Sequence, residues 1–367
     1  MVPLLLTSLF LSQTNSLVPC VGNGPDWLKK IACDYISSTG YPGVWISVTS
    51  RGKSIGSVAA GFANKENAQV ARIDDRVRIG SISKSVVGTV AAYFVKKGVI
   101  RYEDKLYDIV PECQSGMNSY SNVTLEMLLT HQSGLDGKES TIKKVPTVSE
   151  FSLIRRANVI LSLKVPPMID SGMKTHYSGA GIDAAVLMLE TKTGKTWENI
   201  LATVVAHDWK LASIGMGTPD SHGTTGYSAG IAGSKQNFAY EYGSAGSIHI
   251  TIDDLCKFGL LQCFDYSVTF SATDLKIMHE NVADRFTRAS LLRTESGMLG
   301  YMVRHAGAMT RHTGHTSTLW IAPKYGVVVA VSTNAGELNG PVLEKLGTQI
   351  TDPVFWRVCK SVTGAKQ

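Results

Sequence analysis

The chain has 367 residues, of which 44% are hydrophobic and 18% are charged. These fractions exclude a disordered chain and fit a globular protein with a large core, in one large domain or two closely associated ones. The formal net charge is +6, but the basic residues are scattered and form no run longer than a pair such as Lys96-Lys97. We therefore expect no nucleic-acid partner.

The N-terminal segment is an apolar stretch from Met1 to Leu11 that is too short to span a bilayer. It is typical of the core of a secretory signal peptide, and we expect the signal and its cleavage region within residues 1–19. The stretch contains no Lys or Arg, so a short hydrophobic arm is the alternative. The prediction is a secreted or extracytoplasmic protein without a stable membrane span.

The cysteines that would remain after cleavage are even in number. They are Cys20, Cys33, Cys113, Cys256, Cys263 and Cys359. An even count permits disulfides in an oxidising compartment, but the sequence does not determine their pairing. Cys256 and Cys263 are expected on one helix about 10 Å apart, which is too far for them to pair. No C-x-x-C or H-E-x-x-H pattern occurs, so the sequence indicates no zinc site.

Strand patterns occur near both ends of the chain, whereas the middle is mostly helical. An amphipathic helix over residues 26–37 precedes two strands, 44–50 and 57–62, which are predicted to form a hairpin. The next helix starts at Ser81 and ends before Gly98, a typical C-cap residue.

Further helices and strands follow the same pattern along the chain. Helices are predicted at 124–131, 182–191 and 252–263, strands at 316–321 and 327–332, and a last helix after Pro341 with an interruption at Pro353. This order predicts the α+β class, with an antiparallel sheet built from both termini, flanked by helices, and an inserted mainly helical domain. A single unit over residues 20–367 would divide into a sheet subdomain, residues 25–80 and 290–367, and a helical subdomain, residues 81–289.

The candidate nucleophile is Ser81, which is followed by Lys84 in an S-x-x-K pattern. The pattern also occurs at Ser50, Ser140 and Ser171, but those serines are predicted to lie in a hairpin turn or in polar loops. Ser81 starts an apolar helix, where this spacing puts the hydroxyl and the amine on one face and partial burial lowers the pKa of the amine. A serine beside a neutral lysine is an activated nucleophile. A capping serine with a surface lysine is the alternative that the spacing leaves open.

Two other motifs compete with this assignment. The segment Gly226-Tyr227-Ser228-Ala229-Gly230 matches G-x-S-x-G, but that elbow needs a preceding strand and a following helix, and neither is predicted here. The segment Lys192-Thr193-Gly194 closes a predicted helix, with Gly194 as its C-cap, and is interpreted as structural. A substrate-binding K-T-G should lie on a strand beside the nucleophile, a place that the segment 311–315 fits better.

Several motifs in this order together resemble the serine β-lactamase-like family. They are Gly80-Ser81-Ile82-Ser83-Lys84, the LLTHQSGL segment from Leu128 to Leu135, Tyr177-Ser178 and His312-Thr313-Gly314. The family includes class C β-lactamases, penicillin-binding proteins, D-aminopeptidases, related esterases and eukaryotic β-lactamase-like proteins. The resemblance covers residues 28–335 and implies a β-lactamase/transpeptidase-like fold.

The resemblance also implies a role for each matching residue. Ser81 would be the acylated nucleophile, Lys84 would help to take its proton, and Tyr177 would act with Lys84 as general base and then protonate the leaving group. The backbone N–H groups of Ser81 and His315 would form the oxyanion hole. Substrate-binding positions would be His312, Thr313, Gly314 and Gly179. No metal or organic cofactor is implied.

The role of Tyr177 requires a particular environment. A tyrosinate is rare near neutral pH, so Tyr177 would need a cation beside it, which Lys84 could supply. Without the order of the family motifs, an ordinary half-buried tyrosine is the simpler interpretation.

Two positions depart from the family pattern. Gly179 stands where the asparagine of Y-x-N is usual, so the amide that would bind a substrate acylamide is missing. His312 stands in place of the K-T-G lysine and removes a permanent cation expected to bind a β-lactam carboxylate. We therefore expect a serine hydrolase whose partner is a small ester, lactone or peptide substrate, rather than a true β-lactamase. Acyl transfer to an alcohol or amine, and a noncatalytic binding or scaffolding protein, are the alternatives.

Overall fold

The strands of the protein come mainly from the two ends of the chain. The computed structural model describes residues 18–114, 118–136, 151–219, 222–228, 231–232, 243–309, 314–336 and 341–364. Within these residues the strands are β1 (Cys20–Gly22), β2 (Gly43–Ser50), β3 (Lys53–Asn64), β4 (Gln69–Val70), β5 (Arg76–Arg78), β6 (Gly215–Met216), β7 (Tyr227–Ser228), β8 (Ile231–Ala232), β9 (Ile248–Thr251), β10 (Asn281–Ala283), β11 (Phe286–Thr287), β12 (Leu292–Ser296), β13 (Gly300–Met309), β14 (His315–Ala322), β15 (Val327–Thr333) and β16 (Ala335–Gly336).

The helices lie mainly between the two groups of strands and at the C-terminus. They are α1 (Asp26–Thr39), α2 (Ser83–Lys96), α3 (Leu106–Ile109), α4 (Leu125–Leu129), α5 (Phe151–Leu163), α6 (Gly179–Thr193), α7 (Trp197–Ile200), α8 (Gly243–Gly246), α9 (Ile252–Leu260), α10 (Ala272–Met278), α11 (Pro341–Leu346) and α12 (Asp352–Thr363). In the described part of the chain, none of these helices has the length and apolarity that a bilayer crossing requires.

The main sheet is antiparallel and joins strands from both ends of the chain. Its order is β1-β3-β2-β15-β14-β13-β12-β11-β10, and β4 pairs with β3. The late strand β15 lies between β2 and β14, so the N-terminal hairpin is completed by C-terminal residues. This topology confirms the α+β class and the antiparallel sheet built from both termini. The subdomain boundaries at residues 81 and 290 stay a prediction.

Helices cover both faces of the sheet, so its central strands are buried on each side. In β2, Val44, Ile46 and Val48 pack into a core shared with α1 and α12, whereas Trp45 packs into a core shared with α2 and α6. Alternate residues of a strand point to opposite faces, which gives this division a period of two. Burial on both faces is why these strands consist of nearly continuous apolar residues.

Several predicted helix ends are confirmed by their caps. The Thr124 hydroxyl accepts a hydrogen bond from the N–H of Met127 at the start of α4, and Gly194 ends α6 with a φ of +67°. The C-terminal helix is interrupted as predicted, because a π-helical turn over Gly347–Thr351 precedes α12, whose first turn contains Pro353.

Several helix predictions are wrong in their boundaries. Ser81 lies in a 3-10 turn over Gly80–Ile82, and α2 begins only at Ser83, because the Ile82 N–H donates to the Ile79 carbonyl at 3.2 Å in the tighter bonding pattern of such a turn. Helix α4 ends at Leu129 rather than at His131. Helix α9 ends at Leu260, beyond which the backbone continues in tighter turns, with the Cys263 N–H donating to the Leu260 carbonyl at 3.0 Å.

Candidate active site

Ser81 lies where a short strand turns into a central helix. Strand β5 pairs with β9, and the Ile79 N–H then donates to the Ile248 carbonyl at 3.1 Å. The 3-10 turn of Gly80–Ile82 follows, and α2 continues from it into the core. The serine is therefore fixed on both sides, by sheet pairing before it and by a buried helix after it.

The backbone of strand β13 packs closely against this turn. A Cβ atom at Gly307 would lie 1.9 Å from the Ile79 carbonyl oxygen and 2.8 Å from the Ser81 nitrogen. Real Cβ atoms do not approach backbone this closely, so the contact requires glycine at position 307. The peptide group of Ser81 thus packs directly on the main sheet.

Lys84 contacts the hydroxyl of Ser81 directly. Its Nζ lies 3.0 Å from Ser81 Oγ and donates to the Ala245 carbonyl at 3.0 Å. The side chain is only 4% exposed. Burial lowers the pKa of Lys84 to about 7, although the Asp183 carboxylate opposes part of this change. Half of the amine is therefore neutral at about pH 7.

Asp183 supplies a carboxylate to this region from α6. Burial raises the pKa of Asp183 to about 6, against the opposing effect of the Arg155 guanidinium and of a hydrogen bond from Ser244. That bond runs from the Ser244 N–H to Asp183 Oδ1 at 2.7 Å, at the start of α8. Because α8 also provides the Ala245 carbonyl, Asp183 positions the acceptor that holds Lys84.

Tyr177 lies beside Lys84, but its ionisation differs from the expectation. Lys84 Nζ is 4.7 Å from the centroid of the Tyr177 ring. Burial nevertheless raises the pKa of Tyr177 to about 12, and an interaction with Ser81 offsets only part of that rise. The phenol is therefore protonated at neutral pH.

His131 fixes the backbone that carries Tyr177. Its Nδ1 accepts a hydrogen bond from the Ser178 N–H at 3.2 Å, and its ring centroid lies 4.5 Å from that of Tyr177 and 4.7 Å from that of Phe286. Burial lowers the pKa of His131 well below its ordinary value, and the charge of Lys84 acts in the same direction. A neutral imidazole thus joins the LLTHQSGL segment to Tyr177-Ser178.

His305 is a second buried histidine near Lys84, on strand β13. Its Nδ1 donates to the Ala306 carbonyl at 2.7 Å, and burial together with the charge of Lys84 lowers its pKa to about 4. Nothing in the sequence singles out His305 or Asp183. The one available signal was a polar residue in an otherwise apolar strand or helix, which more often marks a satisfied core group.

The remaining predicted site residues are only partly described. His312 and Thr313 lie outside the described residues. Gly314 packs its backbone against Tyr227, and His315 opens β14 with its Nε2 2.7 Å from Thr224 Oγ1. Gly179 begins α6, and a Cβ atom there would meet only the Cβ of Ala245, at 3.6 Å.

The competing motifs lie in other settings. Ser228 is in β7, which pairs with the next strand, β8, as a hairpin and does not lead into a helix. Gly194 is the left-handed cap of α6, as the structural interpretation of Lys192-Thr193-Gly194 predicts. Ser50 lies at the β2–β3 hairpin, and Ser140 lies outside the described residues.

Comparisons with known proteins agree with this architecture. The family described as Beta-lactamase matches residues 28–348. The serine beta-lactamase-like protein LACTB, mitochondrial, of Homo sapiens is 29% identical over 118 residues, which are 32% of this chain and 22% of that protein. The chain therefore matches less than a quarter of the length of this curated relative.

Solved structures share the fold over nearly the whole chain. EstCE1, described as a hydrolase with promiscuous acyltransferase activity, has a TM-score of 0.74 at 15% identity and covers 90% of this chain and 98% of its own. The D-amino acid amidase from Ochrobactrum anthropi SV3 has a TM-score of 0.73 at 19% identity, covering 93% and 99%. The family match spans most of the sequence, so the chain belongs to the beta-lactamase family, a family of hydrolases.

Proposed function

We propose that the protein is a serine hydrolase that transfers the acyl group of its substrate first to Ser81 and then to water. The observation that carries this proposal is the 3.0 Å separation between Lys84 Nζ and Ser81 Oγ, in a place where burial lowers the pKa of the lysine to about 7. Such an amine accepts a proton at neutral pH, which a solvated lysine does not.

Acylation begins when Ser81 Oγ attacks the substrate carbonyl carbon and its proton passes to the neutral Lys84 Nζ. The new C–O bond produces a tetrahedral oxyanion, and the N–H groups of Ser81 and His315 are the proposed donors to it. The bond to the leaving group then breaks, and the proton passes from Lys84 through Tyr177 to the departing alcohol or amine. Water adds to the acyl carbon in the same way, which releases the carboxylic acid and regenerates Ser81.

Tyr177 is proposed as a proton carrier and not as the resting base. With a pKa of about 12 it holds its proton at neutral pH, whereas Lys84 is half neutral. In the proposed transfer, the Tyr177 hydroxyl donates its proton to the leaving group and receives a proton from Lys84 in the same step. Lys84 is proposed as the base because its pKa is lower than that of Tyr177.

The proposed substrate is a small ester or lactone, with peptides as the second choice. Gly179 has no side-chain amide to bind a substrate acylamide next to Lys84. Esters need less protonation of the leaving group than amides do, so they depend less on the missing group. The contribution of His312 stays a prediction.

The first experiment measures covalent labelling of the purified chain by a fluorophosphonate. Intact mass should show one adduct on the wild type and none on Ser81→Ala. Ser50→Ala is the matched control, because it removes the serine of another S-x-x-K pattern, and Ser228→Ala tests the G-x-S-x-G motif. Folded wild type that takes no label, or label that persists in Ser81→Ala, contradicts the proposal and favours a noncatalytic protein or another nucleophile.

The substrate class is tested by turnover of a short-chain p-nitrophenyl ester with nitrocefin in parallel. We expect ester turnover that is lost in Ser81→Ala and little nitrocefin turnover. Faster turnover of nitrocefin contradicts the substrate proposal without affecting the role of Ser81. Acyl transfer is the second candidate, because an alcohol competes with water for the same acyl-enzyme, and EstCE1 is described as having such activity. Added methanol separates the two reactions by yielding a methyl ester.

We also propose that the protein is exported. The apolar stretch at residues 4–11 supports this, although it lies outside the described residues. Mass analysis of the protein produced in eukaryotic cells should find a mature N-terminus created by cleavage within residues 1–19. A full-length chain retained inside the cells contradicts export.

A further inference from the structure

We propose that Cys20 and Cys33 form a disulfide that ties the first strand to the first helix. The two thiols come from β1 and α1, which follow each other in the chain and pack together. Nothing in the proposed hydrolase mechanism uses them.

The register of β1 places Cys20 on the face of the sheet that α1 covers. Cys20 pairs with Ala60 of β3, and residues directly opposite each other in an antiparallel pair share a face. Ala60 belongs to the core formed with Leu28 and Ala32 of α1. Cys20 packs against the same core, so its side chain lies under the helix.

The position of Cys33 on α1 brings its thiol to Cys20. Cys33 follows the buried Ala32 and lies four residues after Lys29, so Cys33 and Lys29 share one side of the helix. Cys33 packs against the same core cluster as Cys20, and α1 contacts β1 directly. Cys33 raises the pKa of Cys20, whereas the Lys29 ammonium lowers it, so both groups lie close to Cys20. Both neighbours of Cys20 therefore come from one flank of α1, which is the arrangement that a strand-to-helix disulfide needs.

The other cysteines of the chain are placed differently. Cys113, Cys256, Cys263 and Cys359 are buried, whereas Cys20 and Cys33 are only partly buried. Cys256 Sγ lies 3.7 Å from the Val328 carbonyl and Cys263 Sγ lies 3.6 Å from the Gly259 carbonyl. These core thiols pack as apolar groups, so they serve as internal controls for oxidation.

The oxidation requires a disulfide co-reactant, for which oxidised glutathione is sufficient. The Cys33 thiolate attacks one sulfur of glutathione disulfide and releases one glutathione thiolate, leaving a mixed disulfide. The Cys20 thiol then loses its proton and attacks the Cys33 sulfur, which releases the second glutathione. The protein loses two electrons and two protons, and glutathione disulfide gains them.

The test equilibrates the purified full chain with glutathione buffers from fully reduced to fully oxidised. Free thiols are then alkylated with N-ethylmaleimide, and the masses of the intact protein and of tryptic peptides are measured. Lys29 and Lys30 provide cleavage between the two cysteines, so the bond joins two separate peptides. We expect this linked pair in the oxidised buffers, with the four core cysteines in their thiol form.

Variants distinguish this bond from other pairings. Cys33→Ser should abolish the linked peptide, and Cys113→Ser, the matched control, should retain it. The oxidised wild type should melt roughly 5 °C higher than the reduced protein, because the bond closes a short loop in the unfolded chain. Alkylation of both cysteines in the oxidised buffer, or a bond from Cys20 to a core cysteine, overturns the proposal. Ester turnover should be equal in both redox forms, since the pair packs on the sheet face away from Lys84.

Discussion

Two buried cations in the helical region, Lys84 and Arg155, have opposite surroundings. Arg155 Nη2 lies 2.6 Å from Glu190 Oε1, and both side chains are almost fully buried. Burial alone would lower the pKa of Arg155, but Glu190 and Glu198 raise it overall. Lys84 instead hydrogen-bonds to a serine and a backbone carbonyl, and its pKa falls to about 7.

The difference separates a structural cation from a chemical one. An ion pair offsets the cost of burying charge but fixes the protonation state of the cation. When the hydrogen-bond partners of a buried amine are neutral, nothing offsets the free-energy cost of burying its charge. The pKa of the amine then falls toward neutral pH. Burial of Lys84, the proposed base, without an ion-pair partner among the described residues should therefore destabilise the folded protein.

The largest expected effect is the loss of activity in Lys84→Arg. A guanidinium keeps the positive charge but does not release its proton, so it cannot act as a base. We expect acylation by a p-nitrophenyl ester to fall by about 100- to 10,000-fold. Stopped-flow release of nitrophenolate measures it, with circular dichroism to confirm folding. A folded Lys84→Arg variant with wild-type rates would show that a positive charge at position 84 is sufficient for acylation. Lys84 would then not differ from Arg155 in needing to exchange a proton.

The second effect is a loss of stability in Arg155→Met. Removing the guanidinium leaves Glu190 buried without its cation, which costs about 3–5 kcal/mol. Urea unfolding followed by tryptophan fluorescence measures the change. The exposed Arg72→Met, whose ion pair with Asp74 is at the surface, is the control and should leave stability nearly unchanged. Equal losses in both variants would contradict the structural role of Arg155.

The third effect has the opposite sign, because Lys84→Met should stabilise the protein. The unfolded chain holds the lysine proton up to about pH 10.5, whereas the folded chain holds it only up to about pH 7. Wild-type stability therefore rises with pH between these values. Allowing for two lost hydrogen bonds, we expect the variant to gain on the order of 2 kcal/mol at pH 7, and less as the pH approaches 10. A variant less stable than wild type at pH 7 would mean that Lys84 is held for structure.

The fourth effect concerns the pH dependence of acylation. Since the base must be unprotonated, kcat/KM should rise with pH and level off above a midpoint near 7. Asp183→Asn removes the carboxylate that raises the pKa of Lys84, so the midpoint should move to lower pH, by up to about one unit. The amide oxygen of asparagine still accepts from the Ser244 N–H. If the pH midpoint of kcat/KM stays the same or rises in Asp183→Asn, then Asp183 does not raise the pKa of Lys84.

The smallest effect is expected from Gly179→Asn. The structure leaves room for a Cβ atom at this position, so the variant should fold normally. Its amide would add one hydrogen bond to an acylamide substrate and should raise amide relative to ester turnover by roughly 2- to 10-fold. Gly179→Ala is the control for added bulk. The same ratio in all three proteins would reject our explanation of why esters are preferred.

Much of the fold could be predicted from local patterns. Strands β2 and β15 are recognisable because burial on both faces demands runs of apolar residues, and α6 because Gly194 marks its end. The pairing of β15 between β2 and β14 depends on contacts between distant parts of the chain. It was predicted only in outline, from strands at both ends.

The candidate site was predictable only where its residues lie close in sequence. Ser81 and Lys84 are three residues apart, so helical spacing alone brings them together. Asp183 and His305 interact electrostatically with Lys84 from other elements, and no local pattern indicates these interactions. The high pKa of Tyr177 was also not predicted, because it results from burial of the phenol, to which residues distant in sequence such as His131 and Phe286 contribute.

The contact between Gly307 and the turn of Ser81 has a consequence for the range of substrates. Ser81, the proposed nucleophile, packs on β13 through close backbone contacts, so rotation of a side chain would not shift it relative to the sheet. The sheet side of the proposed site is therefore rigid. Substrates of different shape must be accommodated on the opposite side, where Tyr177 lies in the loop before α6 and Gly179 is the first residue of α6. The rings of His131 and Phe286 pack against Tyr177 there. Changes of specificity should accumulate on that side, and the sheet side should tolerate few.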